Sequence, residues 1–410
     1  MKIVLRGICI AYLSWSMLIV SGLDIESYKY RLEPICDELF PYAENGLALA
    51  RIEDHYGYVN QWGDFKIETT YKDAQSFSSG LAGVLVDEKY GYINKANEIV
   101  IDPIYEVVEP FIGDFAVVKE FEKYLIIDKK GQPQLEDRFD ELFIDSEDLI
   151  RYKKDGRFGY LLDGIDYQTD YDYIGPFVDD RAVVSLNNKY GFIDTENHLV
   201  IDVKYDSIST FLNDKAVVEN NQKFGVVDTM GNLLVPIEHD AIQLFEEGDL
   251  IAFKEGYDWG YMTIEGDPFI TPEYDKVHPF YDGLARIEIN KKHGFINKEN
   301  EYIIRPTYND ASWYADNGLM LIKKNIFYGY INRDNEYVVE PSFDDATDFF
   351  SNRTAYIKDN RKWGIIVLNY RLNYYVTAAL PVIFLVITVS VMKRLTNLLK
   401  RIFNFKRNDR

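Results

Sequence analysis

The stretch Trp259–Lys292 reads WGYMTIEGDPFITPEYDKVHPFYDGLARIEINKK and holds one complete copy of a pattern that recurs along the chain. An aromatic-glycine pair opens it, a turn with Gly266 follows, and a second segment ends near Pro272. Tyr274-Asp275 comes next, and the copy finishes with a segment that starts Gly-Leu-Ala at 283–285. Short apolar runs separated by turn residues are typical of β-strands, so this pattern predicts an all-β repeat.

Working outward from this copy, the aromatic-glycine pair recurs every 32 to 35 residues. A fixed period of this length is typical of stacked structural repeats, and we expect a tandem array of about ten units of roughly 34 residues. The pairs are Tyr56-Gly57, Tyr90-Gly91, Phe158-Gly159, Tyr190-Gly191, Phe224-Gly225, Trp259-Gly260, Tyr328-Gly329 and Trp363-Gly364, with the variants Tyr124-Leu125 and His293-Gly294.

The turn after each pair has its own signature. Asn or Asp opens it, and Gly or Asn stands three residues later, as in Asn60 with Gly63 and Asn94 with Asn97. Gly and Asn tolerate positive φ, so the turn is predicted to be a hairpin with a type I turn and a left-handed bulge residue. In the unit at 158 the turn is Asp163-Gly164, and that unit is two residues shorter.

A unit this small cannot bury its apolar face alone, so neighbouring units must stack. We expect an aromatic ring to cover each bare glycine along the seam between units. Residues 35–54 match the second half of a unit, and 363–369 match its first strand. The ends are therefore complementary halves. We expect an open, superhelical or ring-like curved array, with a closed β-propeller as the alternative, because propellers usually have four to eight blades.

These motifs closely resemble the WG-repeat family, most legibly in the units at 259 and 293, over roughly residues 31–370. The resemblance implies a protein of bacterial type whose repeats act as an interaction module. The units at 124 and 158 depart most from the family pattern, through Leu125 and the shortened turn. We expect them to form a distorted or specialised part of the surface.

The charge of the chain is unevenly placed. The formal net charge is −22, and since 393–410 contributes +6 and Lys2 with Arg6 adds +2, the stretch between carries −30. Such an acidic body repels phosphate backbones, so we expect no nucleic-acid partner. Cys36 is the one cysteine of this body, and we expect it to be a small buried apolar residue rather than a nucleophile.

Both ends of the chain carry apolar segments. Residues 1–22 have the charged start and apolar run of a signal peptide, or serve as an N-terminal anchor. Residues 374–392 are long and apolar enough for a transmembrane helix, and 393–410 form a basic amphipathic tail. The positive-inside rule puts that tail in the cytoplasm. We therefore expect a single-pass protein of the cell membrane whose ectodomain, 23–370, lies outside.

The sequence offers no catalytic, cofactor-binding or metal-binding motif that we recognise. His293 and His239 occupy aromatic positions of the repeat and are expected to be structural. The Asp that recurs once per unit, as in Asp206 and Asp240, is expected to cap a turn. The residues outside the repeat pattern are candidate ligand contacts, with core or seam packing as the alternative: Trp62, Trp313, Tyr314, Tyr257 and Tyr281.

The functional expectation is a membrane-anchored, extracytoplasmic, non-catalytic module that binds a protein or a component of the cell envelope. One alternative is a structural spacer or scaffold without a specific ligand. The other is a glycan-binding domain or a degenerate enzyme that acts on glycans, since carboxylate pairs of the glycosidase type can lie in any β-fold.

Overall fold

The computed structural model describes residues 23–146, 148–246, 248–314 and 318–372. All regular elements in these ranges are β-strands. The chain divides into a repeat body, Tyr30–Ile366, and a second unit made of Met1–Lys29 with Val367–Arg410. Of the second unit, the described parts are 23–29 and 367–372, which belong to the first and last strands.

The described strands form ten antiparallel sheets, the blades of a ten-bladed β-propeller. β1 (Leu23–Cys36) belongs to blade 10. Blade 1 consists of β2 (Glu38–Tyr42), β3 (Leu47–Ile52), β4 (His55–Asn60) and β5 (Phe65–Tyr71). Blade 2 consists of β6 (Leu81–Val86), β7 (Lys89–Asn94) and β8 (Ile99–Tyr105), and blade 3 of β9 (Val107–Val108), β10 (Phe115–Glu120) and β11 (Lys123–Asp128).

Blades 4 to 7 have four strands each. Blade 4 consists of β12 (Glu141–Ile144), β13 (Leu149–Lys154), β14 (Arg157–Leu162) and β15 (Ile165–Gln168), and blade 5 of β16 (Tyr173–Val178), β17 (Arg181–Leu186), β18 (Lys189–Asp194) and β19 (Leu199–Tyr205). Blade 6 consists of β20 (Ser207–Ile208), β21 (Lys215–Asn220), β22 (Lys223–Asp228) and β23 (Leu233–His239). Blade 7 consists of β24 (Ala241–Gln243), β25 (Leu250–Glu255), β26 (Asp258–Thr263) and β27 (Pro268–Tyr274).

Blades 8 to 10 complete the series. Blade 8 consists of β28 (Lys276–Tyr281), β29 (Leu284–Ile289), β30 (Lys292–Ile296) and β31 (Tyr302–Tyr308), and blade 9 of β32 (Asp310–Tyr314), β33 (Met320–Lys324), β34 (Phe327–Ile331) and β35 (Tyr337–Phe343). Blade 10 consists of β36 (Asp345–Ala346), β37 (Thr354–Asp359), β38 (Lys362–Leu372) and β1, which pairs with β38.

In blades 1 to 9 chain order equals strand order, and in blade 10 β1 takes the last place, so the strands can be numbered first to fourth. In blade 2, β6 to β8 are the second to fourth strands, and isolated bridges at Ala74 and Ser78 stand for the first. The aromatic-glycine pair lies on the third strand, and the Tyr-Asp pair lies between the fourth strand and the next blade. The turns from second to third strand and the connectors between blades share one end of the strands, which we call the connector face. The other two kinds of turn lie at the opposite face.

The turns from third to fourth strand confirm the predicted hairpin. The Asn60 Oδ1 accepts hydrogen bonds from the backbone N–H groups of Trp62 and Asp64, at 2.9 and 3.0 Å. Gly63 and Asn97 have φ of 87° and 64°, and their N–H groups donate back to the carbonyls of Asn60 and Asn94. Asn97 also accepts a hydrogen bond from the Tyr71 hydroxyl of the preceding blade, at 2.6 Å.

Close backbone approach explains the glycine of the repeat. In blades with the full pattern the fourth strand bulges opposite this glycine, as between His293↔Tyr308 and Phe295↔Ile304. A Cβ built on Gly294 would lie 2.5 Å from the carbonyl oxygen of Ile304. The same holds, with a fourth-strand backbone atom at 2.3 to 2.7 Å, for Gly57, Gly91, Gly191, Gly225, Gly260, Gly329 and Gly364. The expectation of a covering aromatic ring is therefore wrong at these positions: backbone, not a ring, fills the space.

A second recurring contact joins each blade to the next. The residue after the glycine is often a buried tyrosine whose hydroxyl donates to a carbonyl on the first-strand side of the next blade. Tyr58 donates to the Gln75 carbonyl at 2.7 Å, and its ring lies 4.7 Å from that of Phe77. The same arrangement joins Tyr92 to Glu109 and Phe111, Tyr261 to His278 and Phe280, and Tyr330 to Thr347 and Phe349.

The recurring aspartate caps a turn, as predicted, and it also links two blades. Asp206 accepts a hydrogen bond from the Asn221 N–H in the next blade, at 2.7 Å, and pairs with Lys189 of the preceding blade at 2.5 Å. Asp240 does the same with the Gly256 N–H and Lys223. In both cases the lysine holds the pKa of the carboxyl below its ordinary value.

These contacts also close the ring. Lys362 on β38 pairs with Asp37, which follows β1, at 2.6 Å, although the two are 325 residues apart in sequence. Asp37 accepts the Glu53 N–H as the other connectors do, and at the opposite face Asn352 donates to Gln61 at 3.2 Å. The preferred expectation of an open array is wrong; the closed propeller is confirmed, because the complementary ends complete one blade.

Cys36 stands where other units have the connector tyrosine. It is fully buried in the cluster that joins blades 10 and 1, with Ala48, Val59 and Ile365. Burial raises the pKa of its thiol to about 12, so the thiol stays protonated at neutral pH. This agrees with the expected small buried residue.

No helix in the described ranges has the length and apolar character needed to cross a membrane. The segments 1–22, 374–392 and 393–410, for which the signal peptide or anchor, the transmembrane helix and the tail are predicted, lie outside those ranges.

We predict that Gly294→Ala lowers the free energy of unfolding by about 1–3 kcal/mol, because the new methyl group overlaps backbone that cannot move aside cheaply. Gly175→Ala is the matched control, since its Cβ would meet ordinary contacts at 3.4 Å or more, and we expect a change within about 0.5 kcal/mol. Chemical denaturation of the two variants measures this, and equal losses would contradict the backbone argument.

A second prediction concerns acid. Because the folded pKa of Asp206 is lowered, its ionised form stabilises the fold above its unfolded pKa of about 4, and this contribution is lost as the pH falls through the folded pKa. Asp206→Asn is expected to make the unfolding temperature less dependent on pH between about 5 and 2. Asp102→Asn, an exposed site, serves as control; an unchanged acid slope in Asp206→Asn would contradict the prediction.

Candidate functional site

Blades 3 and 4 break the regular pattern, where the sequence departs most. In blade 3 the described chain forms no fourth strand. Residues 135–138 loop outward between the hydrogen bonds that the Gln134 and Phe139 N–H groups donate to the carbonyls of Ile126 and Tyr124. Leu125 replaces the glycine and is 1% exposed. Its side chain packs in the apolar cluster between blades 2 and 3, with Ile101 and Tyr105.

Blade 4 has a fourth strand without the bulge. β14 and β15 pair in continuous register from Gly159↔Gln168 to Leu162↔Ile165. The Tyr152 ring covers the glycine here: a Cβ on Gly159 would lie 2.5 Å from the Tyr152 hydroxyl oxygen. The expected ring over glycine is thus found in this blade. The Tyr152 hydroxyl in turn donates to Asp166, which raises the pKa of the tyrosine together with burial.

The missing bulge also removes contacts to blade 5. In regular blades the connector tyrosine donates to the left-handed asparagine of the next blade, as Tyr274 does to Asn300 at 2.5 Å. Tyr171 and Asn197 are the corresponding residues in blades 4 and 5. The Asn197 Oδ1 is buried and has no hydrogen-bond partner among the described residues.

A cavity of about 580 Å³ opens where blade 3 loops outward and blade 4 lacks its bulge. Its volume falls in the range of ligand sites in proteins. Charges of both signs, an amide and aromatic rings line it: Leu135, Glu136, Asp137, Phe139, Tyr152, Lys154, Asp155, Arg157, Phe158, Leu161, Asp166 and Gln168.

Arg157 lacks an ion pair that several of its equivalents make; Lys292 of blade 8, with Asn309 in the connector, also makes none within the described ranges. Lys123, Lys189 and Lys223 stand two residues before the glycine position, as Arg157 does, and each pairs with the connector aspartate 17 residues later at 2.5 to 2.6 Å. Asp172 is the connector of blade 4, but it comes 15 residues after Arg157 because the unit is shortened. Asp172 accepts the Asn187 N–H at 2.8 Å, and within the described ranges Arg157 makes no side-chain hydrogen bond or ion pair.

A second cavity, of about 450 Å³, lies on the other side of the cluster formed by Val117, Phe139, Leu142 and Tyr152. A buried ion pair forms part of its wall. The Arg151 guanidinium binds Asp145 at 2.5 and 2.9 Å, and these side chains are 12% and 8% exposed. The rest of its lining is Glu109, Pro110, Ile112, Val117, Tyr124, Glu141, Leu142, Phe143 and Ile144.

The Arg151–Asp145 pair holds blade 4 to blade 5. Arg151 also donates to the Ile174 carbonyl at 3.1 Å, and Asp145 accepts the Phe177 N–H at 3.1 Å. Arg286 of the bulged blade 8 donates to the Ala311 carbonyl of blade 9 in the same way.

Phe121 lies on the connector face beside this region. Its side chain is 83% exposed, and its φ is 50°. The left-handed conformation costs a residue with a Cβ about 1 kcal/mol or more, and the exposed ring recovers nothing by burial. Among the described residues it is the one exposed large apolar side chain with positive φ. Lys123, two residues after Phe121, forms an ion pair with Asp140, and Asp140 accepts a hydrogen bond from the Gly156 N–H of blade 4.

The three candidate aromatics whose side chains are described lie in three different blades. Trp62, 57% exposed, lies in a turn of the opposite face in blade 1, and Tyr281 is half-buried at that face in blade 8. Tyr257, 90% exposed, lies on the connector face in blade 7. Trp313 and Tyr314 belong to β32, and their side chains lie outside the described part.

The histidines in repeat positions have structural surroundings. His293 lies half-buried near Glu288 and Asp310, each at 3.9 Å, and burial lowers its pKa. The His239 ring packs 5.4 Å from Phe253. Within the described ranges, no three His, Cys, Asp or Glu side chains are grouped as metal ligands would be.

Sequence reasoning marked the place of the cavities but not their residues. Leu125 and the short Asp163-Gly164 turn pointed to these two units, whereas Arg157 reads in sequence as an ordinary member of its series. Its separation of 15 rather than 17 residues from the connector aspartate is the signal that could have singled it out.

A comparison with known protein families identifies the repeat described above. The profile described as "WG containing repeat" matches residues 56–90, 90–124, 168–190, 190–224, 224–257, 259–292, 294–325 and 328–363, which is more than half of the chain. The match leaves out 125–167, which contains most of the residues around both cavities. No curated protein matches the chain in sequence.

Several solved structures are similar at low identity. The eukaryotic initiation factor shares 10% identity over 77% of this chain and 93% of its own, with a TM-score of 0.45. PorZ, a surface component of the type-IX secretion system of Porphyromonas gingivalis, shares 8% over 80% and 57%, with a TM-score of 0.27. Kluyveromyces lactis Hsv2p shares 14% over 73% and 97%, with a TM-score of 0.30. Similarity this low says nothing about what this chain does.

We predict that Arg151→Ala lowers the free energy of unfolding by about 3 kcal/mol, because it leaves the Asp145 carboxylate buried without its cation. Lys66→Ala is the control: its pair with Asp64 is at least half exposed on both sides, and its loss should cost less than about 1 kcal/mol. Denaturant titration of both variants measures the difference. A loss in Arg151→Ala no larger than the control would show that the pair does not hold blade 4 to blade 5.

Proposed function

The chain belongs to the WG containing repeat family, and we propose that its propeller is a non-catalytic interaction module that binds a protein or a component of the cell envelope. The propeller is the part of the chain that such a function would use. We further propose that it is anchored by 374–392 as a single-pass protein, with the propeller outside the membrane and the basic tail in the cytoplasm.

The break in symmetry at blades 3 and 4 is the observation that carries this proposal. Eight of the repeat glycines face the same backbone contact, so regular stacking is available to this fold. Two adjacent units depart from it and are bordered by cavities of about 580 and 450 Å³. A spacer needs regular stacking and gains nothing from such a departure, whereas a recognition surface needs residues that differ from their neighbours.

The connector carboxylates have a structural role. Asp140, Asp206 and Asp240 each accept a backbone N–H group and pair with a lysine. These contacts hold their pKa values low, which suits a permanently ionised structural group. A general acid needs the opposite shift, toward neutral pH.

Chemical crosslinking of the full-length protein in intact cells, followed by mass spectrometry, tests the proposal. We expect one reproducible partner protein, joined through Lys154, which lines the first cavity, or through Lys123 and Lys153, which adjoin lining residues in the chain. Replacing these three with Arg removes the reactive amines, keeps the charge and should abolish the crosslink. The control replaces Lys254 and Lys298, in blades 7 and 8, with Arg and should leave the crosslink intact.

Two results would count against this function. Crosslinks confined to the chain itself would contradict recognition of a protein and favour a spacer or a glycan ligand. A partner joined only through blades 6 to 9 would keep the interaction module but remove blades 3 and 4 as its site.

A further inference from the structure

From the first cavity and the turn beside it, we infer a docking surface for an extended peptide segment of a partner protein. The segment presents a carboxylate to Arg157 and an apolar side chain to Phe121, with neutral or basic residues around the carboxylate. This inference rests on the proposed interaction function and adds the surface and the chemistry of the segment.

The repeat itself argues for the carboxylate. In five blades the cation at this position has an acidic partner in the connector: Lys89 with Glu106, Lys123 with Asp140, Lys189 with Asp206, Lys223 with Asp240 and Lys362 with Asp37. Lys292 of blade 8 has Asn309 in the connector and makes no ion pair within the described ranges, but it does not line the cavity. In blade 4 the shortened unit moves Asp172 away, and Arg157 faces the cavity instead. A guanidinium binds a carboxylate through two parallel hydrogen bonds, so a ligand carboxylate completes the pair that the chain leaves incomplete.

The surrounding charges restrict the ligand. Lys154 is already paired with Asp137 at 2.8 Å, while Glu136, Asp155 and Asp166 also line the cavity. A polyanion such as a uronate polysaccharide would be repelled by these carboxylates. In a peptide, one acidic residue can pair with Arg157 while neutral or basic residues on either side of it lie near the cavity's carboxylates. The mixed charge of the cavity therefore favours a protein segment over an acidic glycan.

Phe121 supplies an independent observation. At its turn position Asn or Gly is the residue that the backbone favours, as Asn187 and Asn290 show in blades 5 and 8. A phenylalanine there, 83% exposed, destabilises the turn and gains little from burial. It lies on the connector face, and the chain of contacts through Lys123 and Asp140 joins its turn to Gly156 next to Arg157. An exposed aromatic beside a cavity is a typical anchor for a partner chain.

Selection of random 12-residue displayed peptides on the full-length chain in detergent micelles tests the inference. Peptides enriched over an unrelated protein should share an acidic and an apolar residue. Their affinity, measured by fluorescence anisotropy of the synthetic peptides, should fall at least tenfold in Arg157→Ala. Lys189→Ala, the equivalent position of blade 5, is the matched control and should leave the affinity unchanged.

Phe121→Asn separates binding from folding. We expect this variant to unfold at a higher temperature than the parent chain and yet to bind the selected peptides at least tenfold more weakly. Ile326→Asn, an exposed turn residue of blade 9, is the control and should leave peptide affinity unchanged. A merely structural role for Phe121 would not produce higher stability with weaker binding.

The inference is overturned if no peptide is enriched, or if the enriched peptides bind Arg157→Ala and Phe121→Asn as they bind the parent chain. Oligogalacturonate is tested in the same assay, and its binding in place of peptides, with loss in Arg157→Ala, would assign the site to a glycan. If the crosslinked partner of the previous section persists while these peptide results fail, the interaction function stands and this surface is wrong.

Discussion

The close approach of a fourth-strand backbone to a bare Cα is the constraint on which this propeller depends. A Cβ at Gly260 would lie 2.3 Å from the Ile270 carbonyl oxygen, a distance that no side chain can occupy. The glycine admits the bulge, and the bulge places the segment that ends at the connector. One missing side chain thus determines the course of the fourth strand.

Closure of the ring follows from repeated use of the same contacts. Lys362 and Asp37 make, across 325 residues, the pair that Lys223 and Asp240 make across 17. Each blade buries its apolar surface against the next, and no blade could do so alone. Because the last blade takes β1 from the start of the chain, blades 10 and 1 bury apolar side chains against each other. Closure at ten blades thus uses contacts that recur between most neighbouring blades.

Relaxing that constraint is what creates the candidate site. Where Leu125 replaces glycine, the chain loops outward, and where the bulge is absent, Tyr152 turns onto Gly159 and Arg157 loses its connector partner. The pair of Arg151 with Asp145 joins blade 4 to blade 5 at this place. The cost of an exposed Phe121 at positive φ falls in the same region. Departures from local rules therefore accumulate at one place, which is where a functional surface is expected.

The sequence by itself determined the all-β repeat, its period, the type I turn with a left-handed residue and the capping role of the recurring aspartate. These follow from contacts between residues close in the chain, where Asn60, Gly63 and Asp206 carry their own conformational preferences. The two departing units were also visible, as Leu125 and Asp163-Gly164. The tertiary structure alone decided that the ring closes, that backbone rather than a ring covers the glycines, and that Arg157 faces a cavity. Those outcomes depend on small angles between successive blades and on which side chains meet across them, and a local pattern contains neither.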